Sequence, residues 1–236
     1  MHLTVLGCHG PYPCAGGATS GYLLRHGENA LLLDCGSGVL GRLMALWDPA
    51  LLSGVLLTHL HFDHMSDMLV LRYYLESRGC TLPVYVPPEE DSPQLMLLKD
   101  TPAFRVEPYP EEMEIAGLKV TACPVRHPVP CRALRLTDGE RTFVYTGDSN
   151  VCGSLAPFAA GADALLCDAA FLQSEWKEAA PHMSARQAAE LARDAGVKKL
   201  YLTHLPVRHA WETVQAEAQA VFPESRSVQP GITVEI

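Results

Sequence analysis

Six residues, His59-Leu60-His61-Phe62-Asp63-His64, carry three imidazoles and a carboxylate directly after the apolar run Gly54-Val-Leu-Leu-Thr58. A short apolar run of this kind reads as a buried strand. Alternate residues of an extended segment point the same way, so His59 and His61 can grip one ion. Asp63 and His64, at the turn into the next helix, can reach a second. Neutral imidazole and carboxylate suit Zn2+ and related ions. The bland alternative is a polar loop with incidental histidines, and so many ligand types in so short a span argue against it.

The rest of the chain interleaves strands and helices. Residues 3–6 read as a strand, followed by a loop rich in Gly, Pro and Cys to Gly21. Residues 22–25 and 30–34 form a hairpin across His26-Gly27-Glu28-Asn29. Helices are expected over 40–47, ending before Pro49, over 66–77, and from Pro93 to Leu98. Further strand-like runs lie at 84–86, 118–123, 133–136, 142–145 and 164–167. Ser184-x-x-Gln187 is a capping box that opens a helix, with Gly196 just past its end. A strand over 200–203 follows. Trp211, Val214, Ala218 and Val221 then fall at helical spacing as core residues, Pro223 stops that helix, and residues 232–236 close as a strand. Interleaving of this kind argues α/β layers, with residues 1–236 as a single domain. Leu57-Thr58-His59-Leu60 recurs as Leu202-Thr203-His204-Leu205, which suits a site built between two similar halves.

Composition narrows the function. The 236 residues are 48% hydrophobic and 19% charged, enough for a large core and unlike a disordered chain. No apolar run is long enough to span a bilayer, and the start lacks the pattern of a signal peptide. A cytoplasmic protein is the expectation, with its eight cysteines reduced and no C-x-x-C pair among them. A net charge of −9 argues against a broad nucleic-acid footprint. Arginine outnumbers lysine 13 to 5, and arginine is the better fork for phosphate.

The H-x-H-x-D-H segment resembles the signature of the metallo-β-lactamase-fold superfamily, and the resemblance runs over nearly the whole chain. It implies a four-layer αββα sandwich of two similar halves, with the metal site between the sheet ends. Leu31-Leu-Leu-Asp34-Cys-Gly36 is similar to the family's early strand-plus-Asp motif, whose aspartate props the metal loop. His127, Asp148 in Thr146-Gly147-Asp148, and His204 match later ligand positions. The implied set is His59, His61 and His127 on one ion, and Asp63, His64 and His204 on the other, with Asp148 between them. The ions would be Zn2+ by the affinity order, with Mn2+ or Fe2+ as other candidates.

Within the superfamily the chain most resembles the ribonuclease Z branch and its phosphodiesterase relatives. Leu165-Leu-Cys-Asp168-Ala-Ala-Phe171 is similar to a strand motif of that branch, and Pro181-His182-Met-Ser184 to its motif at a helix start. The resemblance implies that His182 contacts the scissile phosphate and Asp168 orients it, so Asp63, His182 and Asp168 are the catalytic candidates. Cys167 stands where the branch has a histidine, and Asp168 where it has Glu. The tRNA-clamping arm of the branch is missing, because His127 and Asp148 lie only 21 positions apart. Arg126, Arg132, Arg135 and Arg141 are candidate phosphate contacts.

Two ions about 3.5–4 Å apart can hold a bridging water, lower its pKa and neutralise substrate oxygens. The expected activity is a metal-dependent phosphodiesterase acting on a phosphodiester-containing small molecule or a short nucleic acid. Its rivals are a tRNA 3′-processing endonuclease, a thioester or lactone hydrolase, and a non-enzymatic carrier, which would typically have lost ligands. No membrane partner is expected. The branch implies a homodimer, for which the helix near Met68, Leu71, Tyr74 and Leu75 offers a surface if it is not core.

Overall fold

The computed structural model describes residues 1–236. Strands β1 (His2–Gly7), β2 (Gly21–His26), β3 (Asn29–Cys35), β4 (Gly54–Leu56), β5 (Leu82–Val86) and β6 (Phe104–Pro108) belong to one sheet. Strands β7 (Glu112–Ile115), β8 (Leu118–Pro124), β9 (Arg132–Thr137), β10 (Thr142–Tyr145), β11 (Ala164–Asp168), β12 (Leu200–Thr203) and β13 (Ser225–Ser227) form the other. The last strand, β14 (Thr233–Glu235), returns to pair with β1, so each sheet has seven strands.

The two sheets repeat one pattern. Antiparallel pairing runs from β14 through β1 and β2 to β3, and parallel pairing from β3 to β6. Likewise β7 to β10 are antiparallel and β10 to β13 parallel. Alternation along the strands builds the layers. Leu3, Val5, Tyr22, Leu24, Leu31 and Leu33 face the second sheet, within a core of 40 buried residues. Leu6, Leu23, Leu32, Val55 and Val84 face outward into a second core of 24 residues. That core is closed by α1 (Val39–Met44), α3 (Met68–Glu76) and α4 (Pro93–Lys99), the short α2 (Phe62–Met65) contributing Met65. On the opposite face lie α5 (Leu155–Ala159), α6 (Ala185–Ala195) and α7 (Trp211–Gln219). Both bonds of the Ser184–Gln187 capping box form, and Gly196 ends α6 at φ 64. The expected four-layer metallo-β-lactamase architecture is the one observed.

Several expectations need correction. The helix expected over 66–77 is α3, and a separate short helix, α2, precedes it; the two break at Ser66-Asp67, where the Asp67 carboxylate accepts the Leu40 N–H. The helix expected over 40–47 ends at Met44, and Asp48 caps a separate short turn at Pro49–Leu51. Strands β6, β7 and β13 and helix α5 had no clear pattern in the sequence. Glu112–Ile115 alternates charged and apolar residues but is only four residues long, Met113 and Ile115 packing on the core, while Ser225–Ser227 is polar and owes its form to the strand beside it. Trp211 is 40% exposed and not core, although Val214 and Ala218 are buried. Met68, Leu71 and Leu75 are fully buried in the protein's own core, and the Tyr74 hydroxyl donates to Asp48, so these residues do not form a free surface. The Leu-Thr-His-Leu echo is not a structural repeat. It falls just past β4, the first strand beyond the parallel switch of its sheet, and at the end of β12, the second beyond the switch of the other. All eight cysteines are free thiols. No helix is long and apolar enough to cross a membrane.

Candidate metal centre

The parallel strands of both sheets end at one edge, where open α/β sheets place their sites. His59 follows β4, and the chain turns at once into α2, whose first turn carries Asp63 and His64. Gly36, just past β3, lets this turn approach, because a Cβ there would lie 1.9 Å from the Asp63 carbonyl oxygen. Gly10 does the same for the opposite ligand, since a Cβ there would lie 2.0 Å from the His204 ring. Asp34 and His204 both sit at positive φ, 56 and 54, a conformation that side chains other than glycine adopt at a cost and that recurs at functional sites.

All seven expected ligand residues converge. The ligand atoms of His59, His61 and His127 lie within 4.8 Å of one another, as do those of Asp63, His64, Asp148 and His204. His59 Nε2 is 3.0 Å and His127 Nε2 3.1 Å from His61 Nδ1. One proton on His61 Nδ1 cannot serve both neighbours well. Tetrahedral ligands on a 2.0–2.1 Å Zn–N bond stand about 3.3 Å apart, close to these spacings. Asp148 lies against both groups: Oδ2 is 3.6 Å from His59 Nε2 and 3.2 Å from His204 Nε2, and Oδ1 is 3.3 Å from His64 Nε2. Asp63 Oδ2 is 3.2 Å from His204 Nε2.

The surrounding hydrogen bonds fix the imidazoles. Asp34 accepts the Thr58 N–H at 2.7 Å, the Thr58 hydroxyl, the Tyr145 hydroxyl at 2.7 Å and His64 Nδ1–H at 2.8 Å. With its proton given to Asp34, Thr58 Oγ can only accept from His59 Nδ1–H, 3.1 Å away. His127 Nδ1–H donates to the Pro181 carbonyl at 3.2 Å. His59, His64 and His127 therefore each turn a bare Nε2 into the cluster, as metal-binding histidines do. His64 Nε2 is buried without a hydrogen-bond partner. Sequence reasoning missed Thr58 and Tyr145 as parts of the site. The Leu-Thr-His-Leu echo contained Thr58, but nothing in an apolar strand marks Tyr145.

The electrostatics describe a cluster held by protons when no cation is present. Burial, with His64 beside it, holds His59 well below the usual imidazole value. Burial also disfavours a charge on His64, but Asp148 and Asp34 outweigh it and push His64 well above that value. Burial would raise Asp148, and the His204 and His64 charges hold it well below the carboxylate range. A divalent cation placed here takes over the role of those protons. The residues present thus fit a metal centre in donor type, spacing and tautomer.

His182 stands at the lip of the cluster with its side chain 14% exposed. Its Nδ1 donates to Asp168 Oδ2 at 2.7 Å, and its ring stacks on His204 with centroids 4.6 Å apart. Burial would lower its pKa, but the Asp168 carboxylate outweighs this and raises it to about 9. The four candidate arginines divide. Arg135 holds the carbonyls of Phe158 and Ala160, and Arg141 pairs with Asp163. Those two are structural. Arg126 donates to the Glu178 carbonyl beside His127, and Arg132 is half-buried.

This fold and this cluster define a metallo-β-lactamase-type protein. The β-lactamase superfamily domain matches residues 29–205, and the chain belongs to that superfamily. It is 36% identical over 229 residues to the probable metallo-hydrolase YhfI of Bacillus subtilis, covering 94% of each chain. The crystal structure of YhfI superposes with a TM-score of 0.95 at 34% identity, over 100% of this chain and 98% of that one. A ribonuclease Z from Mycobacterium sp. (strain KMS) is 32% identical over 262 residues, covering 94% of this chain and 91% of its own. Human tRNase Z, short form, shares the fold at TM-score 0.81 and 21% identity, over 100% of this chain and 99% of its own.

Proposed function

We propose that this protein is a dinuclear metal-dependent phosphodiesterase. The observation that carries the reading is Asp148, which lies against two adjacent ligand groups and so can be shared between two cations. His59, His61 and His127 would hold one ion, and Asp63, His64 and His204 the other. Zn2+ is favoured by the affinity order. Two bound divalent ions supply positive charge for substrate oxygens and an activated water near neutral pH. The chain's own groups do the rest. Asp34 and Thr58 hold the ligands rigid, and His182 presents Nε2 towards a substrate oxygen beside the cluster. From there it can donate a hydrogen bond as charge grows, or protonate the leaving oxygen. Asp168 holds its ring in one orientation.

Phosphodiester chemistry is supported by the likeness to ribonuclease Z and by the His182–Asp168 pair. A small phosphodiester is favoured over a tRNA precursor. Between His127 and Asp148 the chain has only β9, a tight turn and β10, with no arm, and the net charge is −9.

The test pairs elemental analysis with kinetics on an activated aryl phosphodiester, a thioester and a lactone. About two divalent ions per chain are expected, with phosphodiester turnover abolished by a chelator. His64→Ala should empty mainly one position. His182→Ala should keep both ions while kcat falls about 100-fold or more, the scale of a lost acid or oxyanion donor. One ion or none in metal-supplied protein, or turnover of the thioester or lactone alone, would overturn the proposal.

A further inference from the structure

The segment between Phe171 and Ser184 carries both the Pro181 carbonyl, which orients His127, and His182 itself, yet most of it has no regular structure. Residues 174, 175 and 177–179 are exposed, and the apolar anchors lie at the two ends of the segment, where Leu172 packs against the core and Met183 is buried in it. Polar attachments hold the exposed middle. One of them is Asn150, which has no solvent exposure. The Asn150 amide gives both protons to this one segment, to the Glu178 carbonyl at 3.1 Å and the Ala180 carbonyl at 2.6 Å. Its Oδ1 accepts the Val151 N–H at 2.7 Å, and its own N–H donates to the Arg126 carbonyl at 2.9 Å. Arg126 adds an outer bond to the Glu178 carbonyl at 3.2 Å.

Asn150 is also two residues past Asp148, on a stretch whose middle residue, Ser149, donates its N–H to Asp168 Oδ2 at 3.0 Å. Three consecutive residues thus serve three parts of the centre. Asp148 faces the ligand cluster, Ser149 fixes the carboxylate behind His182, and Asn150 fixes the backbone that leads into His182.

We infer that Asn150 is a positioning residue: by clamping the carbonyls of Glu178 and Ala180 it sets the segment that brings His182 and the Pro181 carbonyl to the metal centre. This deepens the function proposed above and rests on it for its kinetic consequence. Asparagine is suited to the task because two carbonyls need two donors from one buried side chain. Aspartate has the same shape, offers no donor, and would set a charge against both oxygens.

The test uses metal-loaded, full-length protein. Lys177, exposed within the segment, is a trypsin site that reads the clamp without any assay of activity. Asn150→Asp should speed cleavage after Lys177 about 10-fold or more, with Asn150→Ala as the second variant should the charged one fail to fold. On the aryl phosphodiester, kcat should fall about 10–100-fold with KM changed less than about 3-fold, the scale of a misplaced catalytic group. In a His182→Ala background the same substitution should cost several-fold less than in the wild type, because its effect then passes only through the Pro181 carbonyl on His127. Unchanged cleavage after Lys177 in a folded variant overturns the proposal, and so does a full additive loss in the His182→Ala background. If the wild type hydrolyses no phosphodiester, the functional reading falls, while the proteolysis still decides whether Asn150 is the clamp.

Discussion

Asp34 ends β3 in one sheet and Asp168 ends β11 in the other, and each accepts an imidazole Nδ1–H, from His64 at 2.8 Å and from His182 at 2.7 Å. The chemistry of the two pairs is the same, and their surroundings differ. Asp34 gathers donors from both sheets, since Tyr145 reaches it across the core from β10. His64 has no exposure at all. Asp168 takes its other donors, the N–H groups of Ser149 and Ala170, from loops of its own sheet edge, and His182 keeps one face towards solvent. On the function proposed above, the pair sealed between two sheets would hold a fixed ligand. The same pair at a loop edge would leave a histidine oriented and still able to meet a substrate.

The largest effect expected from this contrast is on stability. Asp34→Ala strands the Thr58 N–H and hydroxyl, the Tyr145 hydroxyl and His64 Nδ1–H. Each stranded buried donor costs about 1–3 kcal/mol. For a chain of this size that amounts to a Tm fall of about 10 °C or more in chelator-treated protein. Asp34→Asn keeps an acceptor but loses the charge behind His64, so on the dinuclear site proposed above affinity for one ion should drop about 10–100-fold. A stable Asp34→Ala variant with full metal content would erase the distinction between the two corners.

Asp168→Asn should do the reverse. Metal content should be retained and Tm should fall by only a few degrees, since two donors come from backbone at the loop edge. Turnover should fall about 10–100-fold, less than for His182→Ala, because the ring stays present but loses its fixed orientation. Thermal unfolding, metal analysis and kcat measured on one preparation separate the cases. Loss of an ion from Asp168→Asn with normal turnover of the remainder would make His182 a structural or ligating residue.

What could be read from the sequence was what is local. The apolar runs of β3, β10, β11 and β12 fix their own strands, and the Ser184–Gln187 box fixes the start of α6. The cluster from His59 to His64 states its chemistry within six residues. His127, Asp148, His204, His182 and Asp168 became legible only through family likeness, because each alone is a histidine or aspartate after a strand. The polar strand β13 forms because a neighbour offers its edge, which no periodicity within it records, and β7 alternates over only four residues, too few to stand out. Tyr22 and Tyr145 act through a hydroxyl, and Asn150 bonds through an amide, at the end of a side chain that pattern alone assigns to core or loop.

The two tyrosines give the smallest and sharpest comparison. Their rings pack edge to face in the core, with centroids 5.1 Å apart at 67°. Each crosses to the other sheet's corner: Tyr145 donates to the Asp34 carboxylate, and Tyr22 pairs with the Thr203 hydroxyl next to His204. Phenylalanine keeps the packing at both positions and removes only the hydroxyl. A hydrogen bond to a charged group is worth about 1.5–3 kcal/mol and a neutral one about 0.5–1.5 kcal/mol. At about 2–4 °C per kcal/mol, Tyr145→Phe should lower Tm by about 3–12 °C and Tyr22→Phe by about 1–6 °C. The ordering follows from the partners alone. Thr203 is a hydroxyl that can lose one neutral partner at modest cost, whereas Asp34 is a buried carboxylate that accepts from Thr58, Tyr145 and His64 together. Equal losses in the two variants would mean that Asp34 does not carry the concentrated charge assigned to it, and the asymmetry between the corners would then rest on burial alone.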